Sequence, residues 1–413
     1  MQPKPAALVL GLRENGYGIV RSLVRQGVPV VGTYANREDF GRFSRHCQAY
    51  RFVPLEQESE SARQLLMEWN PGFGGRAVLF PSSDYYANLV VQQREILAQR
   101  FLFHWIAEDT FSRIIDKAHM SQACQEAGVL APRTHVTGLY EDLEESVKEF
   151  SFPCLIKPTR SFGIPFPRAR KNVVAHSPRD LLDFYEAYPA AKGATVWQEI
   201  IAGDDDNIFQ CTALIRKTGE VGGVCCVRKL RQNVPGYGSM SFGRSEMNTF
   251  LVCRALALLE FWRYRGLASL EFKYQPKDGK YYFIEMNPRV PWYNALLADA
   301  GVNLPYLAYL DLIESDDFPR SRSAQRDGVY WIAFTEDLAS FMHARRRRPA
   351  AYVRWVASVA RARSYAWWDW RDPWPCFRAV LHLVTLGLRR LMSGMRQPLI
   401  ADGPARERGD VTS

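Results

Sequence analysis

The sequence lacks several features that mark other classes of protein. Its eight cysteines are scattered, with no Cys-x-x-Cys pair and no histidine at a spacing typical of zinc sites. No run approaches the roughly 20 apolar residues that span a bilayer, and the N-terminus has no charged flank or long apolar core like those of a signal peptide. No Gly-x-Ser-x-Gly elbow is present, which counts against a hydrolase. These absences predict a cytoplasmic chain with reduced, mostly buried cysteines.

The charge of the chain is unevenly distributed. Its 413 residues are 47% hydrophobic and 23% charged, which is typical of a folded protein of two or three domains, and the net charge is +9. From Arg320 onward there are 17 arginines, no lysines and 8 acidic residues, whereas the 36 basic and 36 acidic residues before that point cancel. The main body therefore has no basic excess for binding nucleic acid, and the C-terminal quarter needs its own explanation.

Two short segments, Leu270–Tyr274 and Tyr281–Arg289, have the pattern of a β-hairpin. Side chains in a strand repeat every two residues, so Glu271 shares a face with Ser269 and Lys273, and Glu285 shares a face with Asn287. Whether these faces coincide depends on the turn between the strands.

The length of that turn decides where the carboxylates lie. A two-residue loop Asp278-Gly279 sets Glu271 opposite Met286, on a different face from Glu285. A three-residue loop Lys277-Asp278-Gly279, with Gly279 in a left-handed conformation, pairs Glu271 with Glu285 and Ser269 with Asn287. We expect the second register. Two adjacent carboxylates and an amide then favour a hard cation such as Mg²⁺, although a solvated hairpin face with incidental acids is the alternative.

The first 110 residues have the alternating pattern of a doubly wound parallel sheet. A strand from Ala6 to Leu12, a helix from Gly18 to Gln26 and a strand from Val28 to Tyr34 form a βαβ opening. Its glycines, Gly11, Gly16 and Gly18, do not have the Gly-x-Gly-x-x-Gly spacing, so a structural role is favoured over dinucleotide binding. A strand from Ala77 to Pro81 then leads through Asp84 into another helix.

The next part of the chain is a series of predicted elements, two of which carry the lysines Lys117 and Lys157. Polyphosphate binding needs separate cations of this kind, although a lone lysine is usually a solvated surface charge. The elements are a helix over Ser112–Ala127 containing Asp116-Lys117, a strand over Cys154–Pro158 containing Lys157, a polar turn Arg160–Gly163, a strand over Thr195–Ile201, acidic Asp204–Asp206, a hairpin of Ile208–Ile215 with Gly223–Leu230 ending in Arg228-Lys229, and a helix over Asn248–Arg265.

The order of these motifs resembles the ATP-grasp superfamily, specifically the carboxylate–amine ligases of the D-aspartate ligase-like group. The resemblance covers roughly residues 5 to 315. It implies an α/β chain with a Rossmann-like domain (1–110), an ATP-grasp domain (111–315, small subdomain about 130–200 and large subdomain about 201–315) and a basic, Trp- and Arg-rich helical extension (316–413).

The resemblance also implies the roles of individual residues. Lys117 and Lys157 would contact phosphates, the backbone of Glu199, Ile200 and Ile201 would bind the adenine edge, and Asp206 would meet the ribose. Glu271, Glu285 and Asn287 would hold Mg²⁺ or Mn²⁺. Arg228, Lys229 or Arg289 would steady the transferred phosphoryl group or the substrate carboxylate, with a loop-fixing salt bridge as the alternative for Arg289. The substrates would be a small-molecule carboxylate and an amine, with an amino acid as a candidate for one of them.

One motif departs from the family pattern, and two other functions remain open. The glycine-rich phosphate loop is reduced to Arg160-Ser161-Phe162-Gly163, which supports a non-catalytic scaffold or regulator on the same fold. A nicotinamide-dependent oxidoreductase built on the first βαβ unit leaves Glu271, Glu285 and Asn287 without a role. The residues indicate neither the identity of the substrates nor the oligomeric state.

The C-terminal quarter contains an amphipathic pattern. Arg345–Arg348 and a tryptophan cluster precede a segment from Phe377 to Met395 in which Phe377, Val380, Leu381, Val384, Leu388, Leu391, Met392 and Met395 share one helical face, and Arg378, His382, Thr385, Arg389, Ser393 and Arg396 share the other. One interpretation is a helix packed on the body with its arginines solvated. The other is an anchor on the anionic inner face of a membrane.

Overall fold

A computed structural model describes residues 4–52, 58–68, 75–138, 142–160, 166, 172–234, 236, 238–343 and 349–393. The chain begins with a five-stranded parallel sheet in the order β3-β2-β1-β4-β5, flanked by helices. Its elements are β1 (Ala7–Leu10), α1 (Glu14–Val24), β2 (Val30–Tyr34), β3 (Cys47–Arg51), α2 (Glu58–Glu68), β4 (Ala77–Pro81), α3 (Asp84–Gln92), α4 (Arg94–Leu97), β5 (Phe101–Leu102) and α5 (Glu108–Ile115), with a 3₁₀ turn at Phe40–Phe43.

The first helix begins four residues earlier than the sequence pattern predicts, at Glu14. Its two glycines are required by packing. A Cβ on Gly16 would lie 1.8 Å from the carbonyl oxygen of Gly11, and a Cβ on Gly18 would lie 2.3 Å from Oδ1 of Asn294. The close approach of the helix to its own preceding loop at Gly16 and to Asn294 at Gly18 therefore explains these glycines without a dinucleotide, as the structural interpretation expected.

A four-stranded antiparallel sheet follows, in the order β6-β9-β7-β8. The predicted helix over Ser112–Ala127 is two helices, because Asp116 leaves the helical conformation and caps the second by accepting from the amide of Ala118 at 2.9 Å. The elements after this break are α6 (Lys117–Glu126), β6 (Thr134–Val136), α7 (Leu143–Ser146), β7 (Cys154–Pro158), β8 (Val173–Ala175), α8 (Pro178–Ala187) and β9 (Thr195–Glu199).

The third sheet has seven strands in the order β14-β13-β10-β11-β12-β15-β16. Cys225 and Cys226 are neighbours on β11 and lie on its opposite faces, in separate buried clusters. The elements are β10 (Ile208–Ile215), β11 (Val221–Gln232), β12 (Met240–Ser245), α9 (Thr249–Phe261), β13 (Gly266–Gln275), β14 (Lys280–Asn287), α10 (Asn294–Asp299), α11 (Leu304–Leu312), β15 (Tyr330–Ile332), α12 (Phe334–His343), α13 (Pro349–Arg361), β16 (Ser364–Tyr365) and α14 (Trp374–Ser393).

The hairpin of β13 and β14 has the predicted register, but its loop is longer than predicted and its strands contain an irregularity. Glu271 pairs with Glu285 and Ser269 with Asn287. The loop contains four residues, between Gln275 and Lys280, and not three. Gly279 has the expected left-handed backbone, with φ of +68°. An irregularity next to Phe272, which pairs with Phe283, leaves Ile284 unmatched and brings Glu285 opposite Glu271.

The C-terminal quarter is joined to both the large sheet and the N-terminal domain. Strands β15 and β16 extend the sheet beyond residue 315. Arg21 of α1 donates to the carbonyls of Tyr365, Ala366 and Trp368 at 2.8–3.0 Å. The run 345–348 lies outside the described residues. None of the described helices is long and apolar enough to cross a bilayer.

Candidate active site

The two carboxylates of the hairpin face a row of polar side chains on the neighbouring strands. Oε2 of Glu271 accepts from Nε2 of Gln210 on β10 at 2.6 Å and from Nζ of Lys229 on β11 at 3.1 Å. Lys229 is buried and also donates to Oε1 of Gln232 and to the carbonyl of Gly238, each at 3.3 Å. Lys229, one of the three cations that the sequence offered for the phosphoryl group, is therefore ion-paired with a candidate metal ligand.

Asn287 connects the carboxylate pair to the N-terminal domain. Its amide nitrogen lies 3.5 Å from Oε1 of Glu285, and its Oδ1 accepts from Arg289 at 3.2 Å. Arg289 also binds Asp84, the first residue of α3, with N–O distances of 2.8 and 3.3 Å. The salt bridge considered for Arg289 is thus present, and it ties the end of β14 to the parallel sheet.

The two predicted phosphate-contacting lysines approach this acidic site from different elements. Lys117, at the start of α6, lines a small cleft together with Asp84, Glu285 and Asn287. Lys157 is buried on β7, where its ammonium donates to Oε1 of Gln198 at 2.6 Å.

Electrostatics links Lys157 to the rest of the site. The pKa of Lys157 is lowered to about 8, chiefly by burial and also by the charge of Lys117, whereas Glu285 and Glu271 act to raise it. The folding thus brings both lysines and both carboxylates within electrostatic range of one another.

Lys273, two residues after Glu271 on β13, adds another cation. Burial lowers the pKa of Lys273, while the carboxylates of Asp205 and Glu271 act to raise it. Asp205 also accepts from Nε2 of Gln232 at 2.6 Å and from the amide of Gly236 at 2.9 Å. Asp205 is therefore the member of the acidic triplet with the largest effect on the pKa of Lys273, and Asp204 acts in the same direction.

Arg228 and Asp206 bind each other away from this face. Nε of Arg228 donates to the carbonyl of Asp206 at 2.6 Å, and its guanidinium lies over the ring of Phe209, 5.4 Å from the centroid. Arg228 and Lys229 are neighbours on a strand, so their side chains point to opposite faces, and only Lys229 reaches Glu271. The structure does not bring Arg228 to the carboxylate pair.

The predicted adenine-binding segment connects the small and the large sheet. Glu199 ends β9, with its amide donating to the carbonyl of Arg133 and its carboxylate accepting from the amide of Arg133. Among the described residues, no backbone group bonds to the backbone of Ile200 or Ile201. Ala202 then donates to Oε1 of Gln275 at 3.3 Å. The backbone groups of Ile200 and Ile201 are thus left without a backbone partner in the described chain, which is what hydrogen bonding to a purine edge would require.

The shortened phosphate loop is only partly described. Arg160, which follows β7, donates to Oγ of Ser112 at 3.0 Å and lies 3.5 Å from Oδ2 of Asp116. Residues 161–163 of the predicted loop lie outside the described part of the chain.

The donor set at the hairpin fits a hard divalent cation that is completed by phosphate oxygens. Within the described residues, no group of three or more His, Cys, Asp or Glu side chains could hold a metal ion. Two carboxylates and one amide oxygen are a typical protein contribution to a nucleotide-bound Mg²⁺, which keeps phosphate and water oxygens as its other ligands. The hydrogen bonds from Gln210 and Lys229 both go to Oε2 of Glu271. The side-chain oxygen of Gln210, its Oε1, is buried and has no hydrogen-bond partner.

Four side chains of the site were not among the predicted site residues: Asp84, Asp205, Gln210 and Lys273. Lys273 had a signal, because it alternates with Glu271 on one strand. Gln210 and Asp84 reach the site through pairings across 61 and 205 residues, which no local pattern encodes.

Comparison with known proteins identifies similar sequences. Residues 242–308 match the family model described as "Carbamoyl-phosphate synthase L chain, ATP binding domain". D-aspartate ligase from Enterococcus faecium (strain Aus0004) is 24% identical over 328 residues, which span 75% of this chain and 77% of that protein.

Solved structures share the fold over most of the chain. The L-amino acid ligase from Bacillus licheniformis superposes with a TM-score of 0.59 at 16% identity, covering 80% of this chain and 79% of its own. The biotin carboxylase domain of the Hydrogenobacter thermophilus 2-oxoglutarate carboxylase, solved with MgADP, ADP and bicarbonate, gives a TM-score of 0.58 at 17% identity, covering 78% of this chain and 73% of its own. The chain is therefore similar in sequence to ATP-grasp ligases and shares their fold over most of its length.

Proposed function

We propose that the protein is an ATP-dependent carboxylate–amine ligase that forms an amide bond through an acylphosphate. The observation that carries the proposal is the convergence of Lys117 and Lys157 with Glu271 and Glu285, from two sheets and one helix. Opposite charges gathered in this way suit a metal-bound polyphosphate. The names of the similar D-aspartate and L-amino acid ligases favour an amino acid as one substrate.

In this proposal the nucleotide lies between the small and the large sheet. Lys117 and Lys157 contact the phosphates, and the backbone of Glu199, Ile200 and Ile201 meets the adenine edge. Asp206 is assigned to the ribose, although its bonds to Arg228 make it the least supported of these residues. Asp205, which lies on the side of Lys273, is the better candidate for that contact.

Glu271, Glu285 and Asn287 would hold Mg²⁺ or Mn²⁺, which when bound would neutralise charge on the phosphates. The protein's own residues prepare this site. Lys229 and Gln210 fix the orientation of Glu271, and Arg289 fixes that of Asn287. Preorganised ligands of this kind avoid the cost of rearrangement during the reaction.

The proposed chemistry has two steps. A carboxylate oxygen of the substrate attacks the γ-phosphorus of ATP, the bond to the bridging oxygen breaks, and ADP leaves. The amine then attacks the acyl carbon of the acylphosphate, inorganic phosphate leaves with the bonding electron pair, and the amine loses a proton. The negative charge on the transferred phosphoryl group or on the substrate carboxylate would be neutralised by Lys157, Lys229 and Arg289. Positioning is the alternative role of Arg289.

The site favours this function over the two alternatives. A nicotinamide-dependent oxidoreductase gives no role to the converging lysines and carboxylates, and the glycines of α1 have packing roles of their own. A non-catalytic nucleotide-binding regulator would keep the same site, so only turnover separates it from a ligase.

The test is ADP release from MgATP with mixed amino acids and small carboxylates, for the wild type and for Glu285→Gln. We expect release that depends on both substrates and falls at least about 100-fold in the variant, since one metal-binding charge is lost. Glu144→Gln, at an exposed carboxylate on α7, is the matched control and should retain full turnover. Near-normal turnover of Glu285→Gln would refute the ligase assignment, and nucleotide binding without turnover in the wild type would favour the regulator.

A further inference from the structure

The last described helix, α14, presents an apolar face to solvent. Trp374, Phe377, Leu381 and Val384 follow one another at helical spacing and are 58, 55, 54 and 52% exposed. Phe377, Leu381 and Val384 belong to the apolar face identified in the sequence. The helix packs on the body, as the first interpretation expected, but its described part does so through another face. A continuous apolar stripe in water is unusual unless something covers it.

The opposite face of α14 makes the contacts with the body. Ala379 is buried in the main core, and Cys376 packs against the same cluster. His382 contacts the ring of Phe40 at 5.4 Å between centroids, and Arg378 lies over the ring of Phe43 at 4.7 Å. Since this small and polar face is the packed one, the exposed stripe is not needed to attach the helix.

The segment before α14 holds the helix in a fixed position. Trp367 is buried and stacks on Tyr17 at 5.9 Å. The buried carboxylate of Asp372 accepts from Oγ of Ser44 at 2.5 Å and from the amide of Arg45 at 3.2 Å. These contacts tie the start of α14 to the parallel sheet domain, so the stripe points outward from a rigid base.

Exposed tryptophan extends the stripe beyond the helix. Trp370 is 84% exposed and meets Trp368 edge to face at 5.0 Å. Trp368 and Trp374 each contact Phe377, with centroids 6.2 Å apart. We define the α14 surface as Trp370, Trp374, Phe377, Leu381 and Val384. Tryptophan beside aliphatic residues is typical of side chains at the interface between headgroups and acyl chains.

Charge decides between possible occupants of the α14 surface. The chain from Arg320 onward carries the whole net charge of +9. A second copy docked face to face would bring two such segments together, which is electrostatically unfavourable. An anionic bilayer instead attracts arginine while accepting the apolar stripe.

We propose that the α14 surface docks on an anionic lipid bilayer. The helix lies along the bilayer with its apolar stripe in the headgroup region, since no described helix is able to span. This proposal is independent of the ligase activity and places the candidate active site next to a membrane.

The test is cosedimentation of the full-length protein with vesicles of pure phosphatidylcholine or with phosphatidylglycerol added. The stripe variant carries Phe377→Gln, Leu381→Gln and Val384→Gln. A matched control carries Met67→Gln, Phe250→Gln and Phe261→Gln, at apolar side chains of α2 and α9 that are 79, 50 and 43% exposed. Circular dichroism and thermal melting of both variants check that they fold as the wild type does.

We expect salt-sensitive binding of the wild type and the control to anionic vesicles only, and a loss of at least about tenfold in the partition coefficient of the stripe variant. Brominated lipids should quench tryptophan fluorescence less in a Trp370→Phe/Trp374→Phe variant. The proposal is overturned if the wild type stays in the supernatant at low salt, or if the stripe variant binds as well as the control. It is also overturned if sedimentation velocity without lipid shows a dimer that only the stripe variant loses.

Discussion

Lys229 and Glu271 form a buried ion pair, with 3.1 Å between Nζ and Oε2 and side chains that are only 3% and 12% exposed. The pair spans the strand between β11 and β13, where Gln210 gives Glu271 a second donor. A buried pair of this kind contributes little net stability, but removing one partner leaves an uncompensated charge. The arrangement therefore orients a candidate metal ligand, and it can be tested by stability as well as by activity.

Lys229→Met should lower the free energy of unfolding by about 3 kcal/mol, because the charge of Glu271 is left without its cation. The double variant Lys229→Met/Glu271→Gln should lose less than Lys229→Met alone. Urea unfolding at pH 7 measures both. Lys217→Met is the control, since its pair with Glu314 is exposed and its loss should change the free energy of unfolding far less. If the losses of unfolding free energy for Lys229→Met and Glu271→Gln, each measured alone, add up to the loss for the double variant, the two residues are not coupled.

Lys157 should make stability and nucleotide affinity depend on pH in opposite directions. Its pKa is about 8 in the folded chain, against an ordinary value of 10.5. Below pH 8 both folded and unfolded states carry the proton, so the full cost of burying the charge, about 3 kcal/mol, is present. Between pH 8 and 10.5 the folded state loses its proton first, and this contribution to the free energy of unfolding rises.

Lys157→Met should therefore be more stable than the wild type at pH 7, with a difference that shrinks toward pH 10. MgATP affinity of the wild type should fall as the pH rises through about 8, because the phosphates lose a cation. Urea unfolding and calorimetric titration at several pH values measure the two effects. A Lys157→Met variant that is less stable at pH 7, or that binds MgATP normally, would contradict the proposed site.

The carboxylate pair shows which part of the candidate site a local sequence pattern can predict. Alternation along two strands, together with an expected three-residue loop, predicted that Glu271 and Glu285 pair; they do pair, although the loop has four residues. The four-residue loop and the unmatched Ile284 were not predictable, because a bulge depends on how Phe272 and Phe283 pack in the core. The same limit applies to Arg228 and Lys229, since two adjacent cations are equivalent until the register of β11 decides which one faces Glu271.

Longer-range features were less accessible from the sequence. The bond between Asp84 and Arg289 joins residues 205 positions apart. Helical spacing identified the apolar face of α14, but not which face is packed. That choice depends on Ala379 and Cys376 fitting against the N-terminal domain, which is a property of the assembled fold.

Asp84 should act on turnover only through Arg289. Asp84→Asn breaks the salt bridge and should lower kcat by about tenfold through misplacement of Arg289 and Asn287. The double variant Asp84→Asn/Arg289→Ala should then equal Arg289→Ala alone. Steady-state ADP release gives kcat and KM for each protein, with Arg179→Ala on the exposed ion pair of α8 as the control. Independent, multiplicative losses would mean that Asp84 contacts the substrates itself.

Gly16→Ala should destabilise the chain by about 3 kcal/mol, because the new Cβ would lie 1.8 Å from the carbonyl oxygen of Gly11 and α1 would have to shift. Gly27→Ala is the control for backbone strain alone. Its Cβ would meet nothing within 4 Å, and only its φ of +70° is unfavourable, which should cost about 1 kcal/mol. Thermal or urea unfolding compares them. A nicotinamide titration of the wild type should show no binding. Tight binding that is lost in Gly16→Ala without loss of stability would instead support the oxidoreductase alternative, because Gly16 would then be required by a ligand and not by the packing of α1.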